Sequence, residues 1–326
     1  MINFSLRPID PTDPQHLEAV AGLWTGACGH ALATSPRAVA YNLRPILGAK
    51  NQDTYKGAFA WYNDEPIGAV IIDARANPLD NELDVGYITL LAVLPETGRQ
   101  GIGEALLKWA EDQLYEAGCK VIQLGGTDHS FVPGLPIELE TESFFTRCGY
   151  TLQTTVTDMA ANLAGYQPAA TMREVDAAVR SAQPANIAAI QAFVQQEFSH
   201  HTERLAQFVH DFQNPKRAER ISDCMIMWTE RGIDGISLLN FEDSYRPIER
   251  FYPYQLPRPW GQVGCFGISK TIRGQGFGAA LIDASLRRLH NNGVNGCVIS
   301  ATTDVDLYAK FGFIPSREYG IYRKSR

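Results

Sequence analysis

The chain has 326 residues, which at roughly 100 to 200 residues per domain calls for two domains rather than one small module. Apolar residues make up 45% of it and charged residues 20%, with 28 Gly and 18 Pro, a balance that excludes disordered and fibrous classes. A formal charge of -7 leaves no surplus of base to neutralise phosphates, which excludes a generic nucleic-acid binder and favours a cationic or small neutral substrate.

The opening MINFSLRPID shows no cationic stretch followed by an apolar core, and the apolar run YITLLAVL is far short of the roughly 20 residues that span a bilayer. The reading is a cytoplasmic protein with no membrane partner. Helical patterns run from Pro14 to Thr25 and from Ser35 to Leu47. The segments YKGAFAWY and PIGAVIIDA then read as strands around the turn Asn63-Asp64-Glu65. Strand Tyr87 to Val93, a Gly-rich turn, a helix with Leu106, Leu107, Ala110 and Leu114 on one face, and the short strand CKVIQL follow. A small, polar stretch broken by Pro168, Ala164 to Thr171, is the expected linker. It divides the chain into domains 1–165 and 172–326.

Beyond it the same order returns. Pro184 to Phe198 and Thr202 to Phe212 read as helices, CMIMWTE and IDGISLLNFE as strands, and Val263 to Ile268 as the strand before a second Gly-rich turn. Gly101, Gly103, Ala105, Leu106, Leu114 and Gly118 fall on Gly276, Gly278, Ala280, Leu281, Leu289 and Gly293 at a constant offset of 175 positions. The later pair SFFTRCGY and DLYAKFGF has an offset of 163, so the first copy carries 12 extra residues around DHSFVPGLPIE. That insertion reads as a surface loop rather than as a source of catalytic Asp128 or His129. The six cysteines form no CxxC pair, which suggests neither a disulfide framework nor a zinc site.

A Gly-rich turn feeding a helix presents backbone N–H groups at the positive end of the helix dipole, a generic anion site. A Walker A loop would need Gly-Lys-Ser/Thr after four spacers and a Rossmann turn a third Gly at Leu106 or Leu281, and neither pattern is present. What the residues match is R/Q-x-x-G-x-G/A, as Arg273-Gly274-Gln275-Gly276-Phe277-Gly278, followed about thirty residues later by LYAKFGF. With these paired signatures over Gly86 to Tyr150 and Gly261 to Phe313, the chain resembles the GNAT superfamily of acyl-CoA-dependent N-acyltransferases, in tandem form. The implied fold class is α/β (α+β), two GNAT folds, each a mixed and mostly antiparallel sheet flanked by helices.

The resemblance implies that Phe266, Gly267 and Ile268 on the strand, with Arg273, Gly274, Gln275, Gly276, Phe277, Gly278 and Ala279 at the turn, hold coenzyme A. The thioester would then lie between the fourth and fifth strands. Transfer in this family goes directly from acetyl-CoA to a bound amine, so Cys265 need not be a nucleophile. Tyr308 aligns with the tyrosine that protonates the departing thiolate. The first copy departs twice: Gly98 and Arg99 are interchanged relative to the usual order, and Phe145 stands where Tyr308 does. Its Val93, Arg99, Gln100, Gly101, Ile102, Gly103 and Glu104 are then expected to hold coenzyme A without catalysing transfer, or the first domain to be structural alone, and the second domain is expected to be the catalytic one. The second copy also departs, with Ala301 where the family often has Asn.

An amine near pH 7 needs a base, and Glu242, or Asp243 beside it, is the carboxylate placed for this at the end of the third strand of the second copy. His200 and His201 lie where the fold usually meets its acceptor, but adjacent residues do not share a helix face as a metal pair would. The long connection EDSYRPIERFYPYQLPRPWGQ has two readings. Either Phe251, Tyr252, Tyr254 and Trp260 wall the acceptor, with Arg246, Arg250 or Arg258 meeting an anionic group, or the aromatic cluster packs on another surface. The expectation is an acetyl-CoA-dependent N-acyltransferase acting on a small-molecule amine, without a metal, as a monomer or homodimer. A non-catalytic acyl-CoA sensor and a protein or peptide N-acetyltransferase are the alternatives.

Overall fold

The computed structural model describes residues 2–44, 55–74, 85–126, 131–168, 173–197, 219–248 and 256–326. His200, His201, Asp128, His129, Arg250, Phe251, Tyr252, Tyr254 and the expected helix Thr202 to Phe212 lie outside the described residues. Two compact units emerge from the pattern of contacts. Unit 1 takes the chain up to Val156 together with Arg317–Arg326, and unit 2 takes Thr157 to Ile248 and the later residues up to Ser316. The contiguous division at 165 and 172 follows the sequence repeat; the units instead count the last ten residues of the chain with the first copy. Strand pairing between segments far apart in sequence leaves no local signal at such a point.

In unit 1, β1 (Ser5–Pro8), β2 (Tyr55–Tyr62), β3 (Glu65–Asp73) and β4 (Val85–Val93) pair antiparallel in chain order, and β5 (Val121–Leu124) runs parallel to β4. Residues 323–325 of β13 (Ile314–Ser325) pair antiparallel with β5, and the short β6 (Leu135–Pro136) pairs with Tyr319 and Gly320. Asn63 and Asp64 both have positive φ, 49° and 60°, as the tight β2–β3 hairpin requires.

Helix α1 (Pro14–Cys28) starts at Asp13, whose side chain accepts from the Gln15 amide, with proline at its first position. Helix α2 (Pro36–Leu43) is capped in the same way by Ser35. Helix α3 (Ile102–Glu116) buries Ile102, Leu106, Leu107, Ala110 and Leu114, the stripe seen in the sequence, against β2, β3 and β4. Helix α4 (Glu142–Arg147) leads into β7 (Thr151–Asn162). Two cores result, one under α3 and one under α1 on the opposite sheet face, the latter holding Trp24, Phe59 and Tyr319.

Unit 2 repeats the plan. Residues 157–162 of β7, β12 (Gly296–Thr302), β11 (Trp260–Ile268), β10 (Gly232–Phe241), β9 (Cys224–Thr229) and the edge strand β8 (Ala178–Ser181) lie in that order. Only the β11–β12 pair is parallel in this row. Helix α5 (Ile187–Glu197) packs on one face and α6 (Phe277–Asn291) on the other, and the short α7 (Val305–Ala309) carries Tyr308. Gly118 and Gly293, expected past the ends of α3 and α6, have φ of 94° and 81°. Each unit is thus a mixed, mostly antiparallel sheet flanked by helices. No described helix is long and apolar enough to cross a membrane.

Candidate functional site

In both units the central parallel pair separates part-way along. In unit 1, β4 and β5 pair from Val85↔Val121 to Ile88↔Leu124, after which β4 continues to Val93 paired with β3 but not with β5. A bulge at Thr89, between the pairs Ile72↔Ile88 and Ile71↔Leu90, marks the departure. Leu94 donates its amide to Ile67 on β3. Strand alternation therefore puts the backbone groups of Leu91 and Val93 on the opposite edge, facing the gap. In unit 2, pairing is limited to Trp260↔Gly296 through Gln262↔Val298, and a bulge at Cys265 and Phe266 falls opposite Ser237, between the pairs Leu238↔Gly264 and Ile236↔Gly267.

The gap in unit 1 opens into a cavity of about 400 Å³. Its floor is β4, from Ile88 to Val93; one end is the turn with Gly98, Arg99, Gly101, Gly103 and Glu104; Phe144, Phe145 and Arg147 of α4 close a side. Trp24, Ala27 and Cys28 of α1 wall the other end together with Val132, Leu135, Pro136 and Leu139. The latter four belong to the insertion, so its described part is not the plain surface loop expected from its Pro and Gly content. Phe131 and Val132 are core residues, and Pro136 pairs with Tyr319 of β13.

Arg317, almost fully buried, fixes this wall from behind. Its Nε donates to Glu138 at 2.9 Å and its Nη2 to the Ala31 carbonyl at 2.8 Å. Trp24 donates to the Leu32 carbonyl at 2.7 Å, anchoring the end of α1. Burial pushes the Cys28 thiol up to about 12, so it stands in the wall as a neutral group.

The turns themselves differ between the units. Gly101 and Gly276, at the N-caps of α3 and α6, both adopt left-handed φ, 82° and 97°, and no side chain caps either helix. First-turn amides without an intrahelical acceptor therefore face outward in each. Around Gly101 there is open space for a side chain. Over Gly276 lie Arg173 and Val175, 3.4 and 3.5 Å from where a Cβ would stand. The interchange at Gly98 and Arg99 also has a visible consequence: Arg99 holds φ of 59°, the left-handed conformation that Gly274 adopts in unit 2.

The expected residues of unit 1 largely converge. Val93, Arg99, Gly101, Gly103 and Glu104 line the cavity, Gln100 stands in the turn, and Ile102 is buried in the α3 core instead. In unit 2, Phe266 and Ile268 at the end of β11 and Phe277 and Ala279 in the first turn of α6 pack on the core cluster that contains Tyr308. Phe266 and Phe313 both meet the Tyr308 ring edge-on, at 6.4 and 6.3 Å. Burial, with Asp304 nearby, pushes the Tyr308 hydroxyl up to about 12. Gly267, Arg273, Gly274, Gln275, Gly276 and Gly278 occupy the strand end and turn as the motif requires. Gln275 Nε2 donates to the Thr271 carbonyl, and Ala301 donates its amide to Asp158 at 2.7 Å.

Glu242 stands just past the end of β10. It accepts from Arg258 at 2.9 and 2.7 Å and from the Trp260 amide at 2.9 Å. These bonds, the Arg258 hydrogen bonds first, hold its carboxyl below the usual carboxylate range, which suits a clamp on the strand entry more than a base. Asp243 pairs with Arg220 at 2.9 Å. Sequence reasoning missed Leu91, which aligns with Phe266 in the repeat, and the α1 and insertion residues, which carry no motif. Among the described residues no three His, Cys, Asp or Glu side chains gather as a metal site.

Two sheets with a splayed parallel pair, each with an uncapped Gly turn beside the gap, define acyltransferases of the GNAT type. The GNAT acetyltransferase family model matches residues 28–133 and a GNAT acetyltransferase domain model matches residues 256–323. The chain belongs to the GNAT superfamily as a tandem protein, and at the level of that family it is an acyl-CoA-dependent N-acetyltransferase. Among solved structures it is similar to the GCN5-related glucosamine N-acetyltransferase region of a fungal multi-domain GH3 β-N-acetylglucosaminidase, with TM-score 0.85, 20% identity and 99% of this chain covered. This chain spans 38% of the length of that protein. A GCN5-related N-acetyltransferase from Sphaerobacter thermophilus matches with TM-score 0.69 and 16% identity over 100% of this chain and 97% of that one. A tandem GNAT protein from the clavulanic acid biosynthesis pathway matches with TM-score 0.68 and 14% identity over 99% and 98%. A sequence comparison with curated proteins gives no match.

Proposed function

We propose that acetyl-CoA is bound and used in unit 1 and that the acceptor is the primary amine of a small molecule. The observation that carries this reading is the contrast between the turns: Gly101 opens onto a cavity of about 400 Å³ while Gly276 lies under Arg173 and Val175. The N–H groups of the first turn of α3 and Arg99 would hold the pyrophosphate, and the free edge of β4 at Leu91 and Val93 the pantetheine amides. The amine then enters from the end walled by α1 and the insertion. Its nitrogen attacks the thioester carbonyl, the carbon–sulfur bond breaks, and coenzyme A leaves as a thiolate that takes up a proton.

This inverts the division expected from the motifs alone. Tyr308 has the hydroxyl that Phe145 lacks; both rings are buried in the cores of their units, and Phe145 also lines the cavity. In this reading the proton for the thiolate comes from the attacking nitrogen, which sheds it as the tetrahedral adduct collapses to the amide, or from water rather than from a tyrosine, and unit 2 is the non-catalytic copy. The walls that α1 and the insertion build around the acceptor end favour a small amine over a peptide. Amino sugars head the acceptor panel because the fungal neighbour's region is a glucosamine N-acetyltransferase.

The test is thiol release from acetyl-CoA by the full chain against amino sugars, diamines, amino acids and a peptide N-terminus, with Tyr308→Phe and Gly101→Asp alongside. The reading expects an amine-dependent rate that Tyr308→Phe keeps within about threefold, while Gly101→Asp loses it by about 100-fold or more. Loss on Tyr308→Phe with folding and acetyl-CoA binding intact would return catalysis to unit 2.

A further inference from the structure

Outside the acyl-CoA cleft, unit 2 holds a polar recess of about 440 Å³ between the edge strand β8 and the last turns of α6. Arg180 and Ser181 line it from β8, and Arg287, Arg288, Asn291 and Asn292 from α6. Three guanidinium groups around one recess are a marked local concentration of positive charge in a chain whose formal charge is -7.

Arg288 is held at the mouth by Ser181, to whose Oγ its Nη1 donates at 2.6 Å. Its Nη2 lies 3.9 Å from Asp223, beyond hydrogen-bond reach, and that carboxylate is engaged more closely by Arg220 at 2.7 Å. The Nε of Arg288 is buried with no hydrogen-bond partner. Leaving a charged donor without an acceptor is costly, and an acceptor oxygen would relieve that cost. Arg287, half-exposed, meets Asp283 through Nη2, and Arg180 gives its Nη1 to the Ser181 carbonyl and Asn186. A guanidinium carries five donors, so each of the three retains some for a ligand.

The recess lies at the negative end of α6, which by itself disfavours an anion. Here the terminal carbonyls are covered: the Asn292 amide and side chain both donate to Arg288 O, and Gly293 and Val294 donate to His290 O and Leu289 O. The two carboxylates nearby, Asp223 and Asp283, are each matched by an arginine. What faces the recess is a set of fork-shaped donors suited to planar or tetrahedral oxyanions.

We propose that this recess is a binding site for a small oxyanion, the phosphate or carboxylate group of a metabolite, in unit 2. The site does not depend on which unit transfers the acetyl group. Calorimetric titration of the full chain, held saturated with coenzyme A so that its phosphate turn is filled, with inorganic phosphate and separately with succinate tests it. Saturable binding of either anion at about one per chain and in the millimolar range or below is expected, and which anion binds assigns the chemistry. Arg287→Gln and Arg288→Gln should each weaken it about fivefold or more, and Ser181→Ala, which keeps all three charges, should weaken it as well. Unchanged coenzyme A affinity and thermal midpoint show that the variants are folded. Heats that never saturate with either anion, or binding that all three variants leave unchanged, would overturn the site.

Discussion

Placing a carboxylate at Gly101 separates the two units most sharply. Gly101 has φ of 82° and open space where a Cβ would stand, so Asp fits without a clash and pays only the left-handed backbone cost of about 1–2 kcal/mol in stability. The carboxylate stands at the N-cap of α3, where the pyrophosphate of coenzyme A is placed. Two unit charges 4 Å apart near a protein surface repel by about 4 kcal/mol at an effective dielectric of about 20. At about 1.4 kcal/mol per tenfold that is nearly three orders of magnitude, and salt and ligand adjustment reduce it to a loss of about 100-fold or more. Gly276→Asp puts the same charge beside Arg173, on a turn that this account leaves without ligand, and should change acetyl-CoA affinity by no more than about twofold. Calorimetry on the full chain, with thermal midpoints as the folding control, reads both. Near-native affinity in folded Gly101→Asp, or its abolition in folded Gly276→Asp, would refute the reasoning.

Other substitutions probe the walls of the cavity and the clamp. Arg99→Gly removes a left-handed non-glycine residue, φ 59°, so it should stabilise the fold by about 1 kcal/mol while weakening acetyl-CoA a few-fold through the lost charge; a thermal scan and a titration check the two signs. With its pKa pushed up to about 12, the Cys28 thiol is ionised at pH 8 to about one part in 10,000. Cys28→Ala should therefore keep full transfer, and mass spectrometry after exposure to acetyl-CoA should find no acetyl group on Cys28. The Glu242 carboxyl is held below its ordinary value near 4.5 by Arg258, so the bridge stabilises the fold at neutral pH and is lost as pH falls through the lowered value. Glu242→Gln should lower the thermal midpoint at pH 7, and the gap to the wild type should close as pH falls below the ordinary carboxyl value, with the pH dependence of transfer unchanged.

Much of this was legible in the sequence because its signals are local. The α3 and α6 stripes, the Asn63-Asp64 hairpin and the glycines that end each helix follow from spacing and backbone conformation, and they gave both copies their sheets and helices. The residues of the unit 1 turn also carry a motif, and Val93, Arg99, Gly101, Gly103 and Glu104 line one cavity. The distribution of roles was not legible. A motif records which residues feed the turn but not that Arg173 and Val175, about a hundred positions earlier, lie over Gly276. Likewise Tyr308 has the right chemistry and spacing, while its burial between Phe266 and Phe313 depends on packing that no short segment encodes. The walls from α1, from the insertion and from Arg317 come together only through long-range pairing. Arg317 reaches Glu138 and Ala31 across most of the chain's length.

Hydrogen exchange of the full chain with and without saturating acetyl-CoA tests the central claim most directly, because it reads which turn the ligand covers without any substitution. The account predicts added protection over residues 89–93 and 99–105 of unit 1 and none over 264–268 and 274–280 of unit 2. Protection confined to the second set would contradict it and place the acyl donor under Tyr308.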